Sequence, residues 1–407
     1  MRVTTAFNKI LGLSGASVVS VAFTPDGIVV GLRRRCRRLV CPCGFSTRST
    51  YDRSRRRWRH LDLGATRLYL EAEIRRLSCR RCGRVRTEEV AWARPGARHT
   101  RDFEDVVAWL AQRTDKTTIT KLLRCSWESV AAIVVRVVAE AIDDARLESL
   151  YRIGVDEIAY RSRHRYITVV ADHDRDGAVV WAKEGKDAKT LEAFYEELGE
   201  QRCQALEAVS LDMGGAYAKA TRTKAPQAAQ CIDPFHVVKL ANQAVDKCRR
   251  WAWGRHRLSP GHATWIKRTR WTLLKDPKKL KPSQREILEE LKAQHGVLYR
   301  AYLIKEALRD VYRAGPAEAP ERLDAWLAWA CPSRIPAMVQ LSQTIRAHRS
   351  GILDAIGLGL SNSKLEGLNS KIRLINHRGY GHHSAAAIIA MIYLCCGGIT
   401  VTLPTGR

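Results

Sequence analysis

"RIGVDEIAYRSRHRYITVVADHDRDGAVVWAKEG", from Arg152 to Gly185, holds three β-rich runs separated by short polar joins. Arg152–Tyr160, Arg165–Asp174 and Gly177–Gly185 each read as a strand, and joins this short predict an antiparallel meander. The period then changes. Asp187–Glu200 reads as an amphipathic helix, Leu206–Met213 as a buried strand and Gly214–Thr223 as a short helix. A further strand ends near Asp233, and a helix follows it.

Three strands, helix, strand, helix, strand, helix is the order of a ribonuclease-H-like mixed sheet with helices on its faces, so the fold class is multidomain α/β. Two acids fall at telling places in that order. Asp156 follows "IGV" in the first strand, and Asp212 follows "VSL" at the end of the fourth. If those two strands are neighbours, the carboxylates meet, and they repel unless a cation lies between them. Hard oxygen ligands suit Mg²⁺. Asp at a strand end is also a common turn-former, and Asp172, Asp174 and Asp176 read as solvated turn residues of that kind.

A lone acid stands in "SNSKLEGLNSKIRLINHRGYGHH", Ser361 to His383. Glu366 three residues after Ser363 fits a capping box, which would only close a helix start. The rest of the helix adds a second reading. Leu365, Leu368, Ile372 and Ile375 form its apolar stripe, while Asn362, Glu366, Asn369 and Arg373 fall on another face. A carboxylate presented there could complete a metal site with Asp156 and Asp212. Lys371 and Arg373 are candidate clamps for DNA phosphates. Asp233 and His236 in "DPFH" read first as a helix cap and a packed imidazole, second as the edge of that site.

The whole chain has 407 residues and a formal net charge of +27, an excess that calls for a polyanion, with nucleic acid first. It shows no signal-peptide pattern and no apolar run long enough to span a membrane, so the expected location is cytoplasmic. Twelve cysteines in a reducing compartment suggest metal ligands or core thiols. Cys41 with Cys43, and Cys79 with Cys82, form two close pairs that could hold a tetrahedral Zn²⁺; Cys36 is a possible substitute ligand, and buried free thiols are the alternative. Arg55, Arg56 and Arg57 lie between the pairs and suit DNA phosphates, or simply a solvated surface.

Five zones result: a zinc-ribbon-like module over 1–98, helices over 99–150, the first part of the sheet domain over 151–250, a helical, Trp-rich insertion over 251–350, and the rest of the sheet domain with its final helix over 351–407. The second zone fits either a helix-turn-helix or a plain helical spacer. Ser126 is placed to cap its last helix, which carries few basic side chains before Arg136. Tryptophans of the insertion could stack on unpaired bases, although core packing is the commoner use.

"IGVDE", "VVADHD", "DPFHVVKLANQAVD" and "SNSKLEGLNSKIRLI…RGYG" closely resemble motifs of the zinc-finger DDE transposases of bacterial insertion sequences, the group named ISL-three. The resemblance implies that Asp156, Asp212 and Glu366 are the catalytic acids, holding two Mg²⁺ ions (with Mn²⁺ able to substitute). It implies hydrolysis at the element's ends and transfer of the freed 3′-hydroxyls to target DNA. The partners implied are double-stranded DNA, as terminal inverted repeats and as target, and at least a second copy of the chain. The N-terminal module would bind a structural Zn²⁺; here Cys41-Pro42-Cys43 replaces the usual two-residue spacer. Two other readings fit: a DNA-binding regulator with an inactive core, and a nuclease without strand transfer.

Overall fold

The computed structural model describes residues 2–161, 164–255, 260–361, 363–379, 381–382 and 384–406, without the side chains of Pro260, Ser363 and Lys364. Asn362 of the predicted polar face and the Ser363 side chain of the predicted capping box lie outside the described residues. The chain divides into two compact units, Met1–Asp144 with Arg373–Arg407, and Ala145–Ile372. Zone 351–407 spans both units, whose boundary falls between Ile372 and Arg373.

In the first unit, helix α1 (Val3–Leu11) precedes a hairpin of β1 (Ala16–Thr24) and β2 (Gly27–Arg34). A small ribbon, β3 (Leu39–Val40) with β4 (Ser46–Thr47), leads to the long hairpin of β5 (Asp52–Leu63) and β6 (Thr66–Ser78), and β7 (Val85–Thr87) follows. The sheet order is β1-β2-β6-β5, with β7 on β6 and β2 parallel to β6. Alternation on β6 buries Leu68, Leu70, Ala72 and Ile74 against Val30, Trp58 and Trp92, while Glu71 and Glu73 face away. The predicted module therefore contains a five-stranded sheet in addition to its cysteine ribbon.

Three helices follow: α2 (Arg101–Ala111), α3 (Lys116–Leu123) and α4 (Trp127–Ala141). Thr100, Asp115 and the expected Ser126 cap them through side-chain oxygens that accept backbone N–H groups. Arg136, the basic residue expected on the reading helix, is held at 2.7 Å by fully buried Glu104.

The second unit contains the predicted meander, β8 (Arg152–Arg161), β9 (Arg165–Asp172) and β10 (Ala178–Glu184). Helices α5 (Ala188–Leu198) and α6 (Glu200–Gln204), then β11 (Ala208–Leu211), α7 (Gly215–Lys224) and β12 (Ala229–Ile232), complete the sheet domain. The strand order is β10-β9-β8-β11-β12. The meander is antiparallel, and β8, β11 and β12 run parallel, so the first and fourth strands are neighbours as expected. Asp172 departs from its expected solvated turn: it is fully buried and paired with Arg175, whereas Asp174 and Asp176 are exposed.

Helix α8 (Pro234–Arg255) leaves β12 and enters the helical insertion. The insertion continues with α9 (Pro260–Arg268), α10 (Arg270–Leu274), α11 (Pro282–Gln294), α12 (Gly296–Arg313), α13 (Ala319–Ala330), α14 (Pro336–Ala347) and α15 (Arg349–Gly357). Leu291, Ala301, Ile304, Leu323 and Met338 lie in its core. Its tryptophans divide: Trp326 is buried and donates to the Ile304 carbonyl at 2.7 Å, while Trp251 and Trp271 are 57% and 66% exposed. The unit boundary falls within α16 (Ser363–Arg378). In the first unit α17 (Ala385–Cys396) packs on α4, and Gln112 Nε2 donates to the carbonyls of Leu394 and Ile399 at 2.7 and 3.1 Å. Among the described residues no helix is long and apolar enough to cross a membrane.

Candidate active site and metal centre

Register places the acids. Ser210 on β11 is level with Gly154 on β8, so two more steps bring Asp212 level with Asp156. Leu211 is level with Ile232, so one more step brings Asp212 level with Asp233, whose N–H donates to the Leu211 carbonyl at 3.1 Å. Neighbouring residues in register share a face of a sheet. Continued one or two steps past the paired residues, the register carries Asp156, Asp212 and Asp233 towards one sheet edge, where β11 and β12 end beside β8, a position at which open α/β sheets bind ligands.

Helix α16 lies against the same place. Gly154 leaves room for it: a Cβ there would meet both Leu365 methyls at 2.8 Å and His173 Nε2 at 2.9 Å. One turn beyond Leu365, Asn369 Nδ2 donates to Asp156 Oδ2 at 2.5 Å. The other oxygen, Asp156 Oδ1, accepts the Glu157 N–H at 2.8 Å. Asp212 Oδ1 accepts the Gly214 N–H at 2.7 Å. Asp233 acts as the expected cap, its Oδ1 accepting from the Phe235 N–H at 3.2 Å, and its Oδ2 lies 3.8 Å from His236 Nε2.

The carboxylates perturb one another. Burial raises the Glu366 pKa, and Asp233 and Asp156 raise it further, while His236 opposes them. Glu157 is pushed up to about 7 by burial and then by Asp212 and Asp156, with Lys186 opposing. Glu366 and Glu157 thus both feel acids of the same cluster. An oxygen-only donor set with surplus negative charge fits a hard divalent cation. Among the described residues no three of these carboxylates bring ligand oxygens within 4.8 Å of one another, a closeness reached by a cysteine quartet. Sequence reasoning placed Asp156, Asp212 and Glu366 together but missed Glu157, whose position next to Asp156 carries no signal of its burial.

The quartet is Cys41, Cys43, Cys79 and Cys82. Its sulfurs are 3.8 Å apart for Cys41 and Cys82 and 3.4 Å apart for Cys43 and Cys79. Tetrahedral Zn²⁺ with bonds of about 2.3 Å needs sulfurs about 3.8 Å apart, so the set fits. The backbone N–H of Phe45, then the Cys79 thiol, hold Cys43 below its ordinary pKa. Cys41 receives a lowering backbone bond from Cys43, yet burial and the three other thiols push it up to about 12. Four such thiols cannot all ionise without a cation. Exposed Cys36 lies outside the quartet, its thiol directed to the Arg38 carbonyl at 3.7 Å.

The candidate phosphate contacts differ in availability. Arg55 and Arg57 both pair with Glu71, at 2.8 and 3.1 Å, while Arg56 is exposed on the other side of β5. Lys371 and Arg373 are exposed on α16.

Residues 153–392 match a family described as transposase, the DDE type of ISL3. Residues 88–138 match the helix-turn-helix domain of transposase family ISL3, and residues 37–82 the zinc-finger of transposases IS204, IS1001, IS1096 and IS1165. The chain is 39% identical over 443 aligned residues to the transposase for insertion sequence element IS1557 of Mycobacterium tuberculosis, covering 99% of this chain and 98% of that one. It is 28% identical over 377 residues to the transposase for insertion sequence element IS1001 of Bordetella parapertussis, covering 91% and 93%.

Proposed function

The chain belongs to the ISL3 family of transposases, and from that premise we propose that it binds the terminal inverted repeats of its insertion sequence, cuts the DNA there by metal-dependent hydrolysis and joins the 3′-hydroxyl ends to target DNA. The observation that supports the catalytic reading most is the bond from Asn369 to Asp156, which ties the Glu366-bearing helix to the strand whose register, continued, leads to Asp212. The sheet is ribonuclease-H-like in strand order. Zones 1–98, 99–150, 151–250 with 351–407, and 251–350 serve as the zinc module, helix-turn-helix, catalytic core and insertion. At least two copies act together, because two DNA ends must be joined, and the work is done in the cytoplasm on the nucleoid.

Asp156, Asp212 and Glu366 would hold Mg²⁺, and the four cysteines Zn²⁺. Mg²⁺ (or Mn²⁺) held by those carboxylates would activate the attacking oxygen and stabilise the leaving one. In the first step water attacks phosphorus, the P–O3′ bond breaks, and the 3′-oxygen leaves as a hydroxyl. In the second that hydroxyl attacks a target phosphodiester, one P–O bond forming as another breaks. The chain's own part is positional. Asn369 fixes Asp156, the Gly214 N–H fixes Asp212, and Leu365 seats the Glu366 helix on β8. Lys371 and Arg373 hold phosphates beside them.

The test uses purified protein, a labelled element end and Mg²⁺. Asp156→Asn, Asp212→Asn and Glu366→Gln should each abolish both cut and joined products while duplex binding persists. Cleavage retained by any one of them removes that residue from the site, and cut product without joined product would make the protein a nuclease.

A further inference from the structure

A cavity of about 1000 Å³ lies in the helical insertion, away from the acids. Lys247, Trp251 and Arg255 reach it from one face of α8, at successive intervals of four residues. Gln294, Arg334 and Gln340 line it from the surrounding segments, and Leu298 and Ile335, both buried, back it with an apolar wall. Trp251 lies some 18 residues along α8 from Asp233, about 27 Å at helical rise, so the cavity is separate from the acid cluster.

Its chemistry is one-sided. Among the described residues three cations line it and no carboxylate does. Lys247 contacts only a neutral partner that is described, Gln340 Oε1 at 3.5 Å, and Arg255 lies over the Trp251 ring, 4.6 Å from its centroid. The starts of two long helices, α12 at Gly296 and α14 at Pro336, also border the space and add positive potential. Arg334, just before α14, holds a left-handed backbone with φ +58°, a conformation costly for a non-glycine residue and frequent at ligand clamps. The ligand that answers this set is flat, apolar on its faces and anionic at one edge. That describes a nucleotide.

We propose that this cavity receives one unpaired nucleotide of a DNA strand, its base stacked on Trp251 and its phosphates held by Lys247, Arg255 and Arg334. The choice of a strand over a free nucleotide rests on the transposase reading above, in which the bound polymer is DNA. The slot gives the insertion a role in sensing distortion. It reads no sequence, since every base offers a stacking face.

The full chain without divalent metal is titrated with a paired duplex, the same duplex carrying one unpaired thymidine, and thymidine monophosphate as competitor, read by fluorescence anisotropy. The unpaired thymidine should tighten binding about 5- to 150-fold, the range expected for one base–aromatic stack. Trp251→Ala should erase that gain and leave the paired duplex unchanged, and Trp251→Phe should keep most of it. Three results each overturn the proposal: no preference in the native protein, an equal loss on both duplexes in Trp251→Ala with unchanged circular dichroism, or monophosphate competing as well as the bulged DNA. If the preference holds while Mg²⁺ yields no cleavage, the catalytic reading fails alone. If cleavage proceeds without the preference, the slot fails alone.

Discussion

Replacing Gly154 by Ala tests whether helix seating, rather than the carboxylates themselves, limits the chemistry. The added Cβ would lie 2.8 Å from two Leu365 methyls and 2.9 Å from His173 Nε2. Ordinary carbon contacts are about 3.5–4.0 Å, so the shortfall is about 1 Å. His173 is poorly placed to yield, because Nε2 is hydrogen-bonded to Ser210 Oγ at 2.7 Å and the ring is buried. The Glu366 helix is then the part that moves. Overpacking of this kind costs about 1–3 kcal/mol. Misplacing a reacting group by about 1 Å can cost about 100-fold in rate. Gly154→Ala should therefore lower stability modestly and cut single-turnover end cleavage by about 10- to 100-fold, with duplex binding intact. Leu365→Ala removes the clashing methyls at its own cost of about 2–5 kcal/mol, since the residue is buried. The double variant should be less impaired than the two single effects predict together. Denaturant melts and single-turnover assays on the four proteins read this out. If Gly154→Ala loses stability but cleaves normally per folded molecule, the seating of the helix on β8 does not position Glu366.

Purified protein should carry about one zinc per chain, which Cys79→Ser loses and Cys36→Ser keeps; metal analysis with matched melting curves decides this, and equal retention would contradict the quartet. His99 should make the first unit acid-labile: burial, then Arg136, Arg59 and Arg98, depress its pKa to about 4. Its contribution is therefore complete above about pH 6.5 and is lost as pH falls towards 4, by about 1–2 kcal/mol after discounting for its partial exposure. His99→Gln should flatten the melting profile over that window, and an unchanged slope would show that another group sets it. Glu71→Gln should free Arg55 and Arg57, raise affinity for duplex DNA and steepen its log–log salt slope by about 0.9 per new phosphate contact, so an unchanged slope would remove that face from the DNA interface.

The element order of the second unit was legible because its periods change cleanly, from alternation in Arg152–Gly185 to helical spacing after Asp187. The N-terminal hairpin also left a signal, in the valine-rich run Ser17–Phe23 and the Pro25-Asp26-Gly27 turn, which the cysteines and arginines overshadowed. The place of α17 was a different matter. Its sequence, "AAAIIAMIYLCC", is apolar all round, which says that the helix is buried without saying against what. Its partner is α4, more than 240 residues earlier, and no local pattern encodes so distant a choice. Asp233 shows another limit. One oxygen does cap α8, as its sequence context suggests, and only the β11–β12 register reveals that the same side chain stands level with Asp212.

Charge shows the same limit on a larger scale. A net +27 points to nucleic acid but does not locate it, because a cation committed to a neighbouring carboxylate has little left to offer a phosphate. The structure sorts the cations. Arg136, on the last helix of the helix-turn-helix, is bound to Glu104, and Arg94 is enclosed by Glu104, Asp105 and Glu140. Arg55 and Arg57 share Glu71. Arg56 on β5, and Lys247, Arg255 and Arg334 around the insertion cavity, form no ion pair among the described residues. Salt-dependent affinity should therefore follow such unpaired cations, in the N-terminal module and in the insertion alike, rather than the total number of basic residues.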